Sequence, residues 1–202
     1  MSKKTLKTLM IYFAAIVAAG LPSVLYVFES AGSEEGFGTV LRQTARLGLY
    51  IYLLIFILRP LQQLYPSDIG RKFLRNRRYI GVAFAGVMTA HLVLIAWFWF
   101  FVIREPIPVL LLIGGGGAYL MMFLMLITSF DSTARALGPR NWRRLHKVGL
   151  YWIGAVFANT IVPDVIREPG NFFYLLTALL MLGAIAVRVL AWHRRRRASQ
   201  AP

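Results

Sequence analysis

The sequence predicts an all-α integral membrane protein, built as a bundle of about six transmembrane helices. Of its 202 residues, 58% are hydrophobic and 15% are charged, whereas a soluble domain carries roughly 25% charged residues. Its apolar runs are about 20 residues long, which matches the roughly 30 Å hydrocarbon core of a bilayer at about 1.5 Å of helix per residue. The excess of apolar surface therefore needs lipid as its solvent.

Six apolar segments give the predicted spans in chain order: residues 7–28, 39–58, 79–103, 107–130, 148–164 and 172–192. The first is a membrane helix rather than a signal peptide, because its apolar stretch from Met10 to Phe28 exceeds a typical signal core and no small-residue cleavage site leads into a polar domain. We divide the chain into a first helix with its outer loop (1–38), a transmembrane core (39–165), and a last helix with a basic tail (166–202).

Lysine and arginine are concentrated in alternate connections of the chain. They are Lys3, Lys4 and Lys7, then Arg71, Lys72, Arg75, Arg77 and Arg78, then Arg135, Arg140, Arg143, Arg144 and Lys147, and finally Arg194 to Arg197. The remaining connections are poor in basic residues, so the positive-inside rule predicts that both termini are cytoplasmic. Topology thus explains the formal charge of +15, and nucleic acid is not expected as a partner.

Aromatic and glycine residues mark further features of the spans. Five tryptophans fall mostly near the predicted span ends, where aromatic rings anchor at the lipid headgroups: Trp97, Trp99, Trp142, Trp152 and Trp192. Four consecutive glycines, Gly114 to Gly117, lie inside the fourth span. They either let a neighbouring helix approach closely or loosen the helix around a bound group.

Three histidines are the candidate ligands, since the absence of cysteine excludes disulfides, iron–sulfur clusters and thiolate metal sites. His91 lies in the middle of the third span, where an ionisable side chain is a ligand, a proton carrier or a neutral group bonded to a neighbouring helix. His146 lies at the inner end of the fifth span, and His193 borders the basic tail as an interfacial residue. Because facing helices supply imidazole ligands to heme iron, His91 and His146 are the predicted cofactor- and metal-binding residues, and no catalytic residue is predicted.

Several short motifs around these histidines occur in a fixed order. They are Arg77-Arg78-x-x-Gly81 followed by His91, then Leu126-x-Thr128-Ser129, Leu137-Gly138 and Trp142-x-x-Leu145-His146. From Thr44 to Val165 the chain resembles the ferric reductase-like transmembrane superfamily, and most closely the MsrQ family of heme-binding subunits in periplasmic methionine sulfoxide reductase systems. The resemblance implies that segment 39–165 holds heme b in the bacterial inner membrane and passes electrons from the cytoplasmic side to a periplasmic acceptor.

The chain departs from this family at Asn159, where members usually carry a further histidine. Asparagine is a poor iron ligand, so we expect one heme b per chain rather than two. His91 lies roughly 20 Å above the inner edge of its span at 1.5 Å per residue, whereas His146 lies at that edge. We therefore predict two layers at different depths, an inner one with His146 near Arg77 and an outer one with His91 facing Asn159.

The carboxylates of each heme would need positive partners. Arg42 and Arg46 are the candidates for an outer heme, and Arg77 with Arg143 or Arg144 for an inner one. Topology signals and interfacial snorkelling account equally well for most of these arginines.

The leading functional hypothesis is a heme b electron-transfer subunit, reduced by a cytoplasmic flavin reductase or by quinol and delivering electrons to a periplasmic oxidoreductase. Flavin binding by this chain is a further possible interpretation, although the sequence shows no site for it. The first alternative is a stand-alone transmembrane metalloreductase that uses the same heme. The second is a heme-free transporter or scaffold, which broken helices with facing carboxylates would favour, but the spans contain almost no acidic residue.

Overall fold

A computed structural model describes residues 2–198, and this part of the chain is an all-α membrane bundle without β-strands. The helices are α1 (Lys3–Glu29), α2 (Glu34–Leu64), α3 (Asp68–Phe98), α4 (Val109–Leu111), α5 (Gly117–Ile127), α6 (Asp131–Leu137), α7 (Pro139–Arg167) and α8 (Phe172–Ala198). A π-helical turn, Trp99–Ile103, extends α3, and another, Leu112–Gly116, joins α4 to α5. Six spans in this range are long and apolar enough to cross a membrane, which confirms the predicted fold class.

Serine side chains start the first three helices. Ser2, Ser33 and Ser67 each have an extended backbone, and each accepts a hydrogen bond from the backbone N–H three residues later. Such caps satisfy an N–H group that has no partner inside the helix. Acidic residues in the first turns of α2 and α3 add a favourable interaction with the helix dipole.

Several helices are longer than the predicted spans, and α7 differs most. It begins at Pro139 instead of residue 148, because Gly138 adopts a φ of +77° that ends α6 and turns the chain directly into the new helix. His146 consequently lies inside α7 rather than before its first turn. The fourth span is shorter than predicted, since α5 ends at Ile127.

The core of the bundle is formed where α2, α3, α5 and α7 meet. Aromatic side chains dominate it: the Tyr52 ring lies 5.5 Å from the Phe157 ring, which in turn lies 6.5 Å from the Phe84 ring. Large apolar side chains cover the outward faces, including Leu110 at 81% exposure and Phe100 at 67%. Their exposure fits a bundle that is solvated by lipid.

Four helix ends meet at one end of the bundle. Lys7 of α1 places its Nζ 4.3 Å from the centre of the Tyr79 ring in α3. Arg194 of α8 donates a hydrogen bond of 2.8 Å to the carbonyl oxygen of Leu64, at the last residue of α2. We call this end, which carries the basic residues of α1, α2, α3 and α8, the basic end of the bundle.

The glycine run of the fourth span accommodates an indole ring. Trp152 of α7 donates from Nε1 to the Gly114 carbonyl oxygen at 3.2 Å. A Cβ atom at Gly117 would lie 3.1 Å from the same ring. Close approach of a side chain therefore accounts for Gly117, and the adjoining π-helical turn widens the backbone here. Trp152 lies near the middle of α7 and not at a helix end.

Candidate functional site

His91 is buried between α3 and α2, in the last third of α3. Its side chain is 9% exposed, and its Nδ1 atom lies 2.7 Å from Oγ1 of Thr44. Thr44 is itself 4% exposed, and its hydroxyl also lies 2.7 Å from the Val40 carbonyl oxygen one turn earlier. The imidazole is thus connected to α2 through a single hydroxyl group.

The hydroxyl of Thr44 assigns the proton on the imidazole. A threonine inside a helix donates its one proton to the carbonyl four residues earlier, here that of Val40. The oxygen then accepts from Nδ1–H of His91, and the lone pair of the ring lies on Nε2. Within residues 2–198, Nε2 makes no hydrogen bond. Metal-binding histidines characteristically donate one ring N–H to the protein and coordinate through the other nitrogen.

Close packing of α2 against α3 holds this pair in place. Gly48 lies one turn after Thr44, and a Cβ atom there would be 2.3 Å from Sδ of Met88. Met88 in turn lies one turn before His91, so the same faces of the two helices meet at both levels. A small residue at position 48 is what allows this approach.

His146 occupies a different environment, at the junction of α7 with the end of α5. Its ring stacks on Trp142 at a centroid distance of 4.0 Å, and Nε2 lies 3.2 Å from Oγ1 of Thr128. The Thr128 hydroxyl lies 2.7 Å from the Leu124 carbonyl oxygen, and its own carbonyl accepts from Nε1 of Trp142 at 2.9 Å. By the same argument as for Thr44, Nε2 carries the proton and the lone pair lies on Nδ1.

The two histidines lie at different depths. Helix α2 provides the scale, because Thr44 contacts His91 and Tyr52 donates to the Leu150 carbonyl oxygen at 2.9 Å. The distance along α2 from Thr44 to Tyr52, with one further turn from Leu150 to His146, amounts to about 18 Å of helix. The sequence predicted a similar separation. The structure therefore does not bring His91 and His146 together around one atom.

The residues expected beside each histidine are only partly brought near them. Arg77 is half-buried, and its charge acts on His146, as the inner layer requires. Arg143 and Arg144 are exposed. Asn159 is exposed on α7 and makes no hydrogen bond within the described residues. It follows Phe157, whose ring contacts Phe84, seven residues below His91 on α3. Asn159 and His91 therefore make no direct hydrogen bond within the described residues.

The two arginines assigned to an outer heme already have neighbours. The Arg46 guanidinium lies 5.5 Å from the centre of the Phe173 ring and 5.4 Å from that of Tyr174, both on α8. Arg42 donates to Oγ1 of Thr39 at 3.3 Å. Cation–π contacts account for Arg46 as a link between α2 and α8.

Sequence reasoning missed Arg188, a charged residue inside the last span. Pro60 has no N–H group, so the Phe56 carbonyl lacks its usual donor four residues later. Arg188 donates to this carbonyl oxygen at 3.1 Å, and its guanidinium lies 4.2 Å from the Phe56 ring centre and 5.0 Å from that of Tyr151. Two features of the sequence could have indicated this contact. Arg188 is a single arginine among apolar residues of the last span, and α2 contains an internal proline, Pro60.

The hydroxyl partners of the histidines were also missed. Thr128 belongs to the motif Leu126-x-Thr128-Ser129, and Thr44 begins the segment that carries the family resemblance, but neither was assigned a role from the sequence. Between residues 2 and 198, no three histidine, cysteine or acidic side chains come together as a metal-binding group. No protein-family model, no curated protein and no solved structure matches this chain.

Proposed function

We propose that this protein is a heme b electron-transfer subunit of the bacterial inner membrane, with both termini in the cytoplasm. One observation carries the proposal. His91 lies buried in a membrane span with Nδ1 held by Thr44 and with Nε2 free of hydrogen bonds to the described chain. That arrangement presents a neutral imidazole lone pair within the bundle, which is the form that binds heme iron.

A purely structural role for His91 accounts less well for these contacts. Polar side chains within a membrane are costly unless they are paired, and a structural histidine gains most when both ring nitrogens are bonded. Here one nitrogen is held in a fixed orientation, while the other has no partner in residues 2–198. The donor chemistry of His91 therefore fits a residue that would hold heme.

Each residue of the candidate site would have its own role in holding heme. His91 would supply a nitrogen ligand to the heme, and Thr44 would fix its ring orientation and tautomer. At the inner level, His146 offers a second imidazole, and the charge of Arg77 favours the carboxylates of a porphyrin there. Bound heme supplies one-electron exchange at its iron. Because the two histidines lie about 18 Å apart in depth, each could serve a separate iron only, and we assign the single expected heme to His91.

The proposed partners follow from this assignment. A cytoplasmic flavin reductase or quinol would be the electron donor, and a separate periplasmic oxidoreductase would be the acceptor. The lipid bilayer is the environment that the apolar outer surface requires. The resemblance to the MsrQ family suggests the same direction of transfer.

The test is the absorption spectrum of the purified protein, expressed with ample heme supply. We expect a Soret band that shifts on reduction with dithionite, a pyridine hemochromogen of b type, and reoxidation by a soluble oxidant. His193→Ala serves as the matched control because His193 lies exposed against Trp192, away from both threonines. Protein that is folded yet shows no Soret band would instead support a heme-free transporter or scaffold.

A further inference from the structure

A cavity of about 490 Å³ lies between α6 and the first turns of α7. The two helices are separated by the sharp turn at Gly138, so residues from both of them line it. The lining residues are Asp131, Ala134, Arg135, Pro139, Trp142 and Arg143. We call this space the α6–α7 cavity.

The α6–α7 cavity lies at the basic end of the bundle, near the level of the lipid headgroups. Asp131 accepts a hydrogen bond of 2.6 Å from Arg78, one of the basic residues that α3 carries at that end. Trp142 donates from Nε1 to the carbonyl oxygen of Thr128, the residue that follows the last residue of α5. An indole ring at the end of a membrane-spanning helix is typically placed among the headgroups. The cavity therefore opens where a headgroup can enter it.

The charges around the α6–α7 cavity favour an anion. Asp131 is the carboxylate in its lining, and the ion pair with Arg78 at 2.6 Å already neutralises that charge. Arg135 and Arg143 are exposed, and within residues 2–198 neither makes an ion pair or a hydrogen bond. The lining thus carries two positive charges without a counterion, and a cleft lined by one sign of charge concentrates ligands of the opposite sign.

An exposed apolar stripe on α5 leads from the neighbourhood of the cavity into the membrane. Leu120, Leu124 and Ile127 are all exposed, and their spacing of four and three residues places them on one face of the helix. Thr133 of α6, next to the lining residue Ala134, donates a hydrogen bond to the carbonyl oxygen of Ile127. The stripe therefore ends beside α6. A ligand with an anionic head and an apolar tail can contact both the cavity and the stripe.

We propose that the α6–α7 cavity binds the phosphate of an anionic phospholipid from the leaflet at the basic end, with the acyl chains along the α5 stripe. The guanidinium groups of Arg135 and Arg143 match phosphate oxygens with paired, charge-assisted hydrogen bonds. The Trp142 ring packs beside the glycerol region, between the charged head and the apolar chains. Basic pockets of membrane proteins bind anionic headgroups in this way. This inference does not depend on heme.

The first test removes one positive charge at a time. Arg143→Gln changes the lining, whereas Arg140→Gln removes an exposed charge one turn earlier on α7 and outside the lining. Purified protein would be titrated with phosphatidylglycerol or phosphatidylcholine, and bound lipid would be counted by native mass spectrometry. We expect the protein to prefer phosphatidylglycerol. Arg143→Gln should weaken its affinity roughly fivefold, and Arg140→Gln should leave it unchanged.

Arg135→Gln, at the other arginine of the lining, should weaken phosphatidylglycerol binding as Arg143→Gln does. Equal affinities for the two lipids in the unmodified protein would overturn the proposal. Equal weakening in Arg143→Gln and Arg140→Gln would show a general surface potential and overturn it as well. Loss of heme in Arg143→Gln with unchanged lipid binding would assign this arginine to porphyrin carboxylates instead.

The second test blocks the cavity without changing the charge. Ala134→Trp places an indole ring in the lining, and the control Ala136→Trp places one at an exposed position of α6 outside it. We expect Ala134→Trp alone to lose phosphatidylglycerol, with the circular dichroism of both variants unchanged. Equal phosphatidylglycerol binding by the two variants would contradict the proposed site. Displacement of the lipid by inorganic phosphate would assign the cavity to a soluble anion and overturn the proposal.

Discussion

The hydroxyl of Thr44 lies 2.7 Å from Nδ1 of His91 and connects the last third of α3 to α2. The contact joins residues 47 positions apart and is buried on both sides. It selects one tautomer of the imidazole and fixes its plane. The Thr44 side chain therefore determines which nitrogen of His91 is available to a ligand.

Replacing Thr44 with valine should weaken heme binding while preserving side-chain shape. Loss of the hydrogen-bond partner of a ligating histidine typically costs about 10- to 100-fold in metal affinity. Heme retention and the Soret maximum would be measured on purified variants. Thr39→Val is the matched control, because Thr39 on α2 also donates to the carbonyl four residues earlier but is only partly buried and lies away from His91. Equal heme content in the two variants would count against the role of Thr44, and Thr44→Ser should restore binding.

His91→Ala and His146→Ala should have unequal effects. The two residues lie about 18 Å apart in depth, so they cannot be the two axial ligands of one upright heme. We expect His91→Ala to abolish heme binding and His146→Ala to leave most of it. Absorption spectra and heme content, normalised to protein in the membrane, decide the matter. Complete loss in both variants would mean that the two histidines share one iron.

The heme content should be one heme b per chain. Asn159 occupies the position where a further histidine is expected from the resemblance, and it lies on the exposed side of α7. Extracted heme would be quantified against protein determined by amino-acid analysis. Two low-spin hemes per chain would require a ligand other than the histidines considered above.

Reporter fusions should place both termini in the cytoplasm. A reporter after Arg197 should behave as cytoplasmic, and one inserted near Ser33 should behave as periplasmic, because lysine and arginine are concentrated at the basic end. Alkaline phosphatase and green fluorescent protein report the two compartments in opposite ways. Phosphatase activity from the fusion after Arg197 would indicate the opposite orientation, with the C-terminus in the periplasm.

A double-mutant cycle should show coupling between Arg188 and Pro60. Arg188→Leu leaves the Phe56 carbonyl without a donor, and an unsatisfied buried acceptor costs about 1–3 kcal/mol. In the Pro60→Ala background, residue 60 regains an N–H group that can bond this carbonyl, so the same arginine change should cost less. Unfolding in mixed micelles measures both values. Additive effects would contradict the contact, and Arg197→Leu, at an exposed position, controls for lost charge.

Hydropathy predicted the parts of the helices that lie in lipid, but it could not predict their full length. The six predicted spans correspond to α1, α2, α3, the segment from α4 to α5, α7 and α8. The helices continue beyond these spans through polar segments such as 68–78 and 139–147. Capping by Ser67 and the turn at Gly138 determine those starts, and neither depends on apolarity. The different depths of His91 and His146 followed from the helical rise alone.

The partners of these residues required knowledge of how the helices are rotated against one another. A threonine in an apolar span reads as an ordinary polar residue until the facing helix is known, and Thr44 meets His91 only because α2 and α3 pack through Gly48. Arg188 likewise meets the Phe56 carbonyl only because α8 packs on α2. The periodicity of apolar residues within one helix predicts neither the Thr44–His91 contact nor the Arg188–Phe56 contact.

The hydrogen bond between Arg188 and Phe56 has a consequence for biosynthesis. The two residues are 132 positions apart, so the ribosome delivers α2 to the membrane long before the guanidinium that completes it. In the interval, the Phe56 carbonyl lacks a donor from either helix, and an unsatisfied buried acceptor costs about 1–3 kcal/mol. The nascent bundle is therefore unfinished until its final helix is inserted. A chain truncated before Arg188 keeps the Phe56 carbonyl without that donor.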